Sequence, residues 1–275
     1  MSVLPAAPPA ASVERLTPAG EVALLARRVG AMCLVELQKL RHDRTELVTR
    51  TIQPALWLAV FGTTFSRIHA IPTGSTPYLD FLAPGILAQS ALFIAIFYGI
   101  QVIWERDAGV LAKLLVTPTP RAALVTSKAF AAGIRALVQA VVVVVIALLL
   151  GVGFTANPLK LLAAAVVVVL GSAFFCCLSI TLAGIVLSRD RLMGIGQAIT
   201  MPLFFASNAL YPVELMPGWL QVINHVNPLS YEVDALRGLL IGTPARLGLD
   251  AVVLVVAAVA MISIASALLP RLARG

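Results

Sequence analysis

Six stretches of this chain contain no Asp, Glu, Lys, Arg or His: Thr51 to Ser66, Phe81 to Trp104, Ala136 to Leu159, Leu161 to Ser188, Leu192 to Val213 and Ala251 to Pro270. A helix that crosses the hydrocarbon core of a bilayer needs about 20 such residues. All but the first reach that length. The first is bounded by Arg50 and Arg67, whose charged ends would snorkel to the interface or draw the bilayer thinner around a short span. Composition supports the same reading, because 60% of the residues are hydrophobic and 12% charged, against about 45–50% and about 25% in soluble domains. The outer surface therefore faces lipid. The expected fold is an all-α integral membrane protein with six transmembrane helices.

The cations set an orientation, since Lys and Arg of short loops stay on the cytoplasmic side. With the N-terminus inside, 16 of the 20 basic residues fall in inner segments, leaving Arg67, Lys160, Arg237 and Arg246 outside. The net charge of +7 then reflects topology rather than a nucleic-acid-binding face. Both termini are expected in the cytoplasm, with the chain lying in the inner (plasma) membrane as a multi-pass protein.

Residues 1–20 are rich in Ala and Pro and poor in charge, a composition expected to stay disordered. Residues 21–275 are expected to form one six-helix transmembrane domain. No cleavable leader is apparent, because a basic start followed by an apolar stretch and a small-residue cleavage site is missing. From about 21 to 47, Val22, Leu25, Val29, Cys33, Leu37 and Leu40 recur at helical spacing, with Arg27, Arg28, Lys39 and Arg41 mostly off that stripe. Such a helix suits the inner membrane surface, where cations meet anionic head groups. A helix packed on its own bundle would give the same pattern.

Several chemistries are disfavoured. Cys176 and Cys177 are adjacent within an apolar stretch, where neighbouring helical residues point to different faces, and Cys33 is far from both. Buried filler suits them better than a disulfide or a metal site. His42, His69 and His225 lie on separate segments without ligand spacing. The apolar stretches lack the ionisable groups that bind coupling ions in secondary transporters, and Arg135, near the inner end of the third, reads as a snorkelling anchor. No Gly-Lys pair occurs in the sequence, so a P-loop is missing and any ATP-driven step needs a second polypeptide. Glu105, Asp107 and Asp190 have basic sequence neighbours and no acid partner at catalytic spacing, which suits solvated loop charge better than an active site. No catalytic, cofactor or metal site is expected in this chain.

Two connections hold the remaining information. Glu105 to Leu115 reads as one short amphipathic helix with Val110, Leu111, Leu114 and Leu115 on one side, stopped by Thr117-Pro118-Thr119-Pro120. It could be a lever for a cytosolic partner or a connector lying on the surface. Tyr211 to Asp250 interleaves apolar residues with Pro and Gly, and its stretches Trp219 to Val226 and Leu229 to Ile241 are too short or too charged to span. Two short helices dipping into the outer leaflet would fit, since broken backbone at membrane depth must be satisfied by protein or a cavity. Arg237 stands three residues after Asp234, within reach of an ion pair. Arg237→Ala is expected to reduce transport more than membrane abundance.

Phe81-Leu82-Ala83-Pro84-Gly85-Ile86, the Glu105-Arg106 to Pro118 segment, Leu210-Tyr211-Pro212 with Met216-Pro217-Gly218-Trp219-Leu220, and Asn227-Pro228-Leu229-Ser230-Tyr231 with Asp234-Ala235-Leu236-Arg237-Gly238 together resemble the ABC-type-2 exporter permeases. The resemblance is closest to the multidrug and daunorubicin-resistance branch. It implies six helices, an N-terminal amphipathic interface helix, and outer re-entrant helices before the last span. It also implies two cytosolic ATPase subunits that bind the ATP and Mg, and a second permease chain, identical or homologous. Glu105, Arg106, Gly109, Leu111, Leu114, Leu115 and Pro118 would form the ATPase-coupling helix, with Gly109 allowing close backbone approach. Arg106 departs from the more acidic character common at that spot. Pro217, Trp219, Asn227, Pro228, Tyr231, Asp234 and Arg237 would form the outer re-entrant region. The expected function is export of a hydrophobic or amphipathic molecule (drug, antibiotic or lipid). The alternatives are a membrane-embedded lipid-modifying enzyme and a non-transporting anchor subunit.

Overall fold

The computed structural model describes residues 27, 30, 31, 34, 38, 44–68, 71–74, 76–116 and 120–274. The expected tail over 1–20, Cys33, His42, His69, Ser75 and Pro118 lie outside them. Of the expected interface helix, residues 27, 30, 31, 34 and 38 are described, and all are helical and exposed.

The described chain is helical and contains no strand among its described residues. Helix α1 (Arg44–Leu56) runs into a π-helical turn (Trp57–Gly62) and on into α2 (Thr63–Ile68), giving one winding rod. Pro54 lies inside α1, where it removes a backbone donor and crowds the preceding turn. The π-turn begins three residues later. Helix α3 (Tyr78–Asp107) is followed by the short α4 (Val110–Val116) and then by α5 (Arg121–Leu149) and α6 (Pro158–Val186). Helix α7 (Arg189–Phe205) leads through a 3-10 turn (Val213–Leu215) to α8 (Gly218–Val226), α9 (Pro228–Leu240) and the last helix, α10 (Leu247–Arg274).

Four of these, α3, α5, α6 and α10, are long and apolar enough to cross a membrane. The rod over 44–68 is interrupted by its π-turn, and α7 has 17 residues, the lower end of what spans a bilayer.

Helix α3 is the core of the molecule. It buries residues on every face, as expected of a helix apolar all round, and packs against α5, α6, α7 and α9. Helix α6 lies between α3, α5 and α10. The Ser179 hydroxyl of α6 donates to the Ile96 carbonyl of α3 at 2.8 Å, the kind of polar tie that locks apolar helices together. Cys176 and Cys177 are fully buried beside it.

The third expected span is displaced. Its helix runs from Arg121 to Leu149 rather than from Ala136 to Leu159. Counting uncharged residues stopped at Arg135, but Lys128 and Arg135 are buried inside the helix, where protein groups meet them. At the other end Asn157 caps α6, its side-chain oxygen accepting from the Leu159 and Lys160 amides at 3.0 and 3.4 Å. Pro158 occupies the first helical position, which needs no donor.

Candidate functional site

At the Asp107 end of the bundle, the segment expected as one helix from Glu105 is two. Glu105, Arg106 and Asp107 complete the last turn of α3. The chain then turns at Gly109, whose φ of +69° suits glycine because it carries no Cβ. A Cβ there would meet nothing within 4 Å, so the turn, and not close backbone approach within this chain, explains the residue. Helix α4 then leaves with Leu111 buried at 1% exposure and Val116 86% exposed. Leu111 belongs to the core of this chain, while Val116 and, in part, Leu114 remain toward its outside.

Asp107 and Asp190 are exposed, but Glu105 is not a solvated charge. Lys128 of α5, itself buried, donates to Glu105 Oε1 at 2.6 Å. Its ammonium also lies 5.8 Å from the centre of the Tyr98 ring. The Arg135 guanidinium stands 4.9 Å from the same ring. Arg135 is therefore an interior residue with its cation over an aromatic face, not the snorkelling anchor expected. Arg106 pairs with Asp107 at 2.8 Å and donates to the Leu187 carbonyl at 2.9 Å. That carbonyl belongs to the α6–α7 turn, where Leu187 has a φ of +55°, so Arg106 ties the end of α3 to a strained connection.

At the Tyr78 end, Arg237 of α9 is buried at 5% exposure. Its Nε donates to the Phe81 carbonyl at 3.2 Å, and Nη2 donates to the Asn208 carbonyl at 2.7 Å and the Ala209 carbonyl at 3.4 Å. The guanidinium carbon lies 3.7 Å from the centre of the Phe81 ring. Asp234 is within 3.7 Å of Nη1, so the expected pair exists as a secondary contact. Asp234 accepts a shorter bond, 2.6 Å, from Asn208 Nδ2. Burial lowers Arg237 to about 10, against the opposing effects of Asp234 and Tyr78, so it stays charged at neutral pH. Burial also raises Asp234, with Arg237 and Asn208 pulling the other way.

The helices α8 and α9 hang from the end of α7 through asparagines. Asn227 caps α9, accepting from the Leu229 amide at 3.1 Å while its Nδ2 donates to the Leu203 carbonyl at 2.7 Å. Asn224 donates to the Ala206 carbonyl at 3.3 Å. Tyr231 donates to the His225 carbonyl at 2.7 Å, clasping α8 to α9. Pro217 stands at the N-cap of α8 and Pro228 at the first turn of α9. Trp219 is 67% exposed and, with Pro202, Tyr211 and Ile223, lines an apolar cleft of about 660 Å³ between α7 and α8.

Glu232, on the inward face of α9, is fully buried, and neither carboxyl oxygen has a partner. It presses on Gly171 of α6, where a Cβ would collide with Oε2. Burial raises this carboxyl well above its ordinary 4.5, because the charged form loses its water there.

The structure thus joins Asp234 and Arg237 in one cluster and Asn227, Pro228 and Tyr231 in another on the same helix pair. It splits Glu105 and Arg106 from Gly109, Leu111 and Leu114. Asn208, Tyr78, Lys128 and Glu232 were missed as site members. Tyr78 donates to the Leu210 carbonyl at 3.1 Å beside the Arg237 cluster. Asn208, a polar residue in the apolar run between Met201 and Leu210, was the one visible signal.

The profile described as ABC-2 type transporter matches residues 27–241. A protein of Cyanophora paradoxa named as a transport permease, ycf38, is 30% identical over 205 residues, covering 72% of this chain and 69% of the relative. The daunorubicin resistance ABC transporter permease protein DrrB1 of Streptomyces coeruleorubidus is 26% identical over 203 residues, covering 74% and 71%. DrrC of Mycobacterium tuberculosis, named for a doxorubicin resistance ABC transporter permease, is 27% identical over 209 residues, covering 76% and 75%.

Proposed function

Since this chain belongs to the ABC-2 type transporter family, we propose that it is the permease half of an ATP-driven exporter moving a hydrophobic or amphipathic molecule out of the cytoplasm or the inner leaflet. The observation that carries this reading is the family match over 27–241 together with relatives named as drug-resistance permeases. The family implies association with an ABC ATPase. In this reading two ATPase copies bind ATP and Mg, and a second permease, identical or homologous, completes the pathway.

Six spans follow if the rod over 44–68 and helix α7 cross beside the four long helices. The cation distribution supports placing the Asp107 end in the cytoplasm. Helix α4, set off by the Gly109 turn, then faces the ATPase as the coupling element, with Leu114, Leu115 and Val116 as its contact residues. Arg106 and the Glu105–Lys128 pair hold the base of that lever against α5 and the α6–α7 turn. At the other end α8 and α9 form a re-entrant lid, latched to α3 by Arg237, and its movement would require breaking buried bonds.

The test is co-expression of the chain with the ATPase of its transporter, followed by affinity capture of the permease. Wild type should bring the ATPase with it. Leu114→Asp with Leu115→Asp would bury unpaired charge at the contact and should lose the ATPase while the permease still inserts in the membrane. Capture of the ATPase by the double variant at wild-type level would remove α4 from the coupling role, and failure of wild type to capture it would remove the exporter reading.

A further inference from the structure

Helix α7 is gripped at both ends and lightly seated between them. At the Asp107 end two contacts join it to the last turn of α3. Arg106 donates to the Leu187 carbonyl at 2.9 Å, and the Arg189 guanidinium lies 4.6 Å from the centre of the Trp104 ring, a cation held on an aromatic face. Leu187 caps the end of α6 and Ser188 caps the start of α7, so the two helices meet with no slack. A shift of the Leu187 carbonyl is a shift of the start of α7.

At the other end, the last carbonyls of a helix have no partner within it. In α7 those of Leu203 and Phe205 accept from side chains beyond the helix, Asn227 Nδ2 at 2.7 Å and the Tyr211 hydroxyl at 2.5 Å. The Ala206 carbonyl, one residue on, accepts from Asn224 at 3.3 Å. Asn227 is also the cap of α9, so the corner between α8 and α9 is fastened to the end of α7. Between its ends α7 buries Leu192, Gly196, Thr200 and Phe204, a single i, i+4 ridge whose two middle members are small. The Thr200 hydroxyl bonds to the Gly196 carbonyl of its own helix. One such ridge resists sliding and rolling less than the packing of α3, which buries residues on every face.

The 17 residues of α7 reach about 25 Å at 1.5 Å per residue. We infer that α7 is a connecting rod between the two ends of the molecule. Displacement of the last turn of α3 passes along α7 to the α8–α9 corner, and displacement of that corner passes back, since coupling between two sites is reciprocal. Arg106 and Asn227 are the joints. In transport the rod would connect α4, which follows α3 through the Gly109 turn, to the lid, and that use of it rests on the exporter reading. The link itself is a property of this chain alone.

The test is hydrogen–deuterium exchange of the full chain in detergent, without the ATPase, read by mass spectrometry on peptides from α3, α8, α9 and α10, since exchange reports local opening. Arg106→Met keeps an apolar stem and removes the donor to Leu187. Exchange in α8 and α9 should rise about fivefold or more, the lower bound of typical coupling between distant sites, while α10 keeps its wild-type rate. Asn227→Ser retains a capping oxygen for α9 but is too short to reach Leu203, and should raise exchange in the last turn of α3 in return. Gln197→Gly with Ala198→Gly changes two exposed positions and softens the middle of the rod without touching either joint. In that background Arg106→Met should no longer alter α8 and α9. If Arg106→Met raises exchange in α10 as well, Trp104→Leu, which removes the Arg189 contact and no charge, is read in its place against the same expectations. An effect of Arg106→Met or Trp104→Leu confined to residues 104–116 and 187–192, or one that reaches α8 and α9 undiminished through the softened rod, overturns the inference. Because the ATPase takes no part, failure here leaves the exporter reading standing, and failure of ATPase capture leaves the rod standing.

Discussion

Replacing Arg237 separates a buried latch from a surface ion pair. Its side chain makes two short charge-assisted bonds to carbonyls on different segments, Phe81 at 3.2 Å and Asn208 at 2.7 Å, and covers the Phe81 ring. A hydrogen bond to a charged group is worth about 1.5–3 kcal/mol, so Arg237→Ala should lose about 3–5 kcal/mol, the range for breaking a buried charged cluster. Lys can reach one of the two segments but not both, because it lacks the planar fork, so Arg237→Lys should lose about half of that. Asp234 is 46% exposed at its side chain and 3.7 Å away, and Asp234→Ala should lose under about 1 kcal/mol from the pair. The assay is the monodisperse fraction of detergent-solubilised protein after heating, measured with membrane abundance and export for all three variants. The expected order of loss is Arg237→Ala, then Arg237→Lys, then Asp234→Ala. The sequence-based expectation that Arg237→Ala reduces export more than abundance changes with this burial, and Arg237→Lys becomes the variant whose export should fall further than its abundance. If Asp234→Ala is as damaging as Arg237→Ala, the ion pair and not the carbonyl clamp holds α9, and the reasoning fails.

Three further outcomes are expected. Glu105→Gln should strand the buried Lys128 ammonium and lower stability by about 3–5 kcal/mol, while Glu105→Gln with Lys128→Met should recover most of the loss, as measured by thermal unfolding of both variants and wild type. Glu232 has a folded-state value raised above 4.5, so its stabilising contribution is complete below that pH and is lost as pH rises toward the raised value, by about 1.4 kcal/mol per pKa unit. Glu232→Gln should flatten the pH dependence of the melting temperature above pH 4.5, and an unchanged slope would mean that the carboxyl ionises with a partner. Membrane-impermeant labelling of single cysteines should reach positions 75 and 225 from outside but not positions 1, 113 and 275, and labelling of residue 113 from outside would reverse the orientation.

The long helices were legible because a bilayer leaves no choice about charge over about 20 residues. Their ends were less so, for a reason visible in α5. Lys128 and Arg135 are inside the helix because Glu105 and the Tyr98 ring accept them, a tertiary fact that no count along the chain contains. The start of α9 rests on local chemistry, the Asn227 cap and the first-turn Pro228. The Gly109 turn was hidden by the apolar pattern running across it from Glu105 to Leu115. Arg237 was visible as a charge near Asp234, but its main partners are backbone carbonyls. Every residue carries one, so sequence could not single out those of Phe81 and Asn208. The same applies to Glu232, whose significance lies in the missing side chain of Gly171.

The most direct test of the central claim is ATP-dependent transport in inverted membrane vesicles that contain this chain and its ATPase. A fluorescent amphiphile should accumulate in the vesicle interior with ATP and Mg. Accumulation should stop when the ATPase is omitted, when a non-hydrolysable nucleotide replaces ATP, or when Leu114→Asp and Leu115→Asp are introduced. Accumulation that persists without the ATPase, driven by an ion gradient alone, would contradict the account.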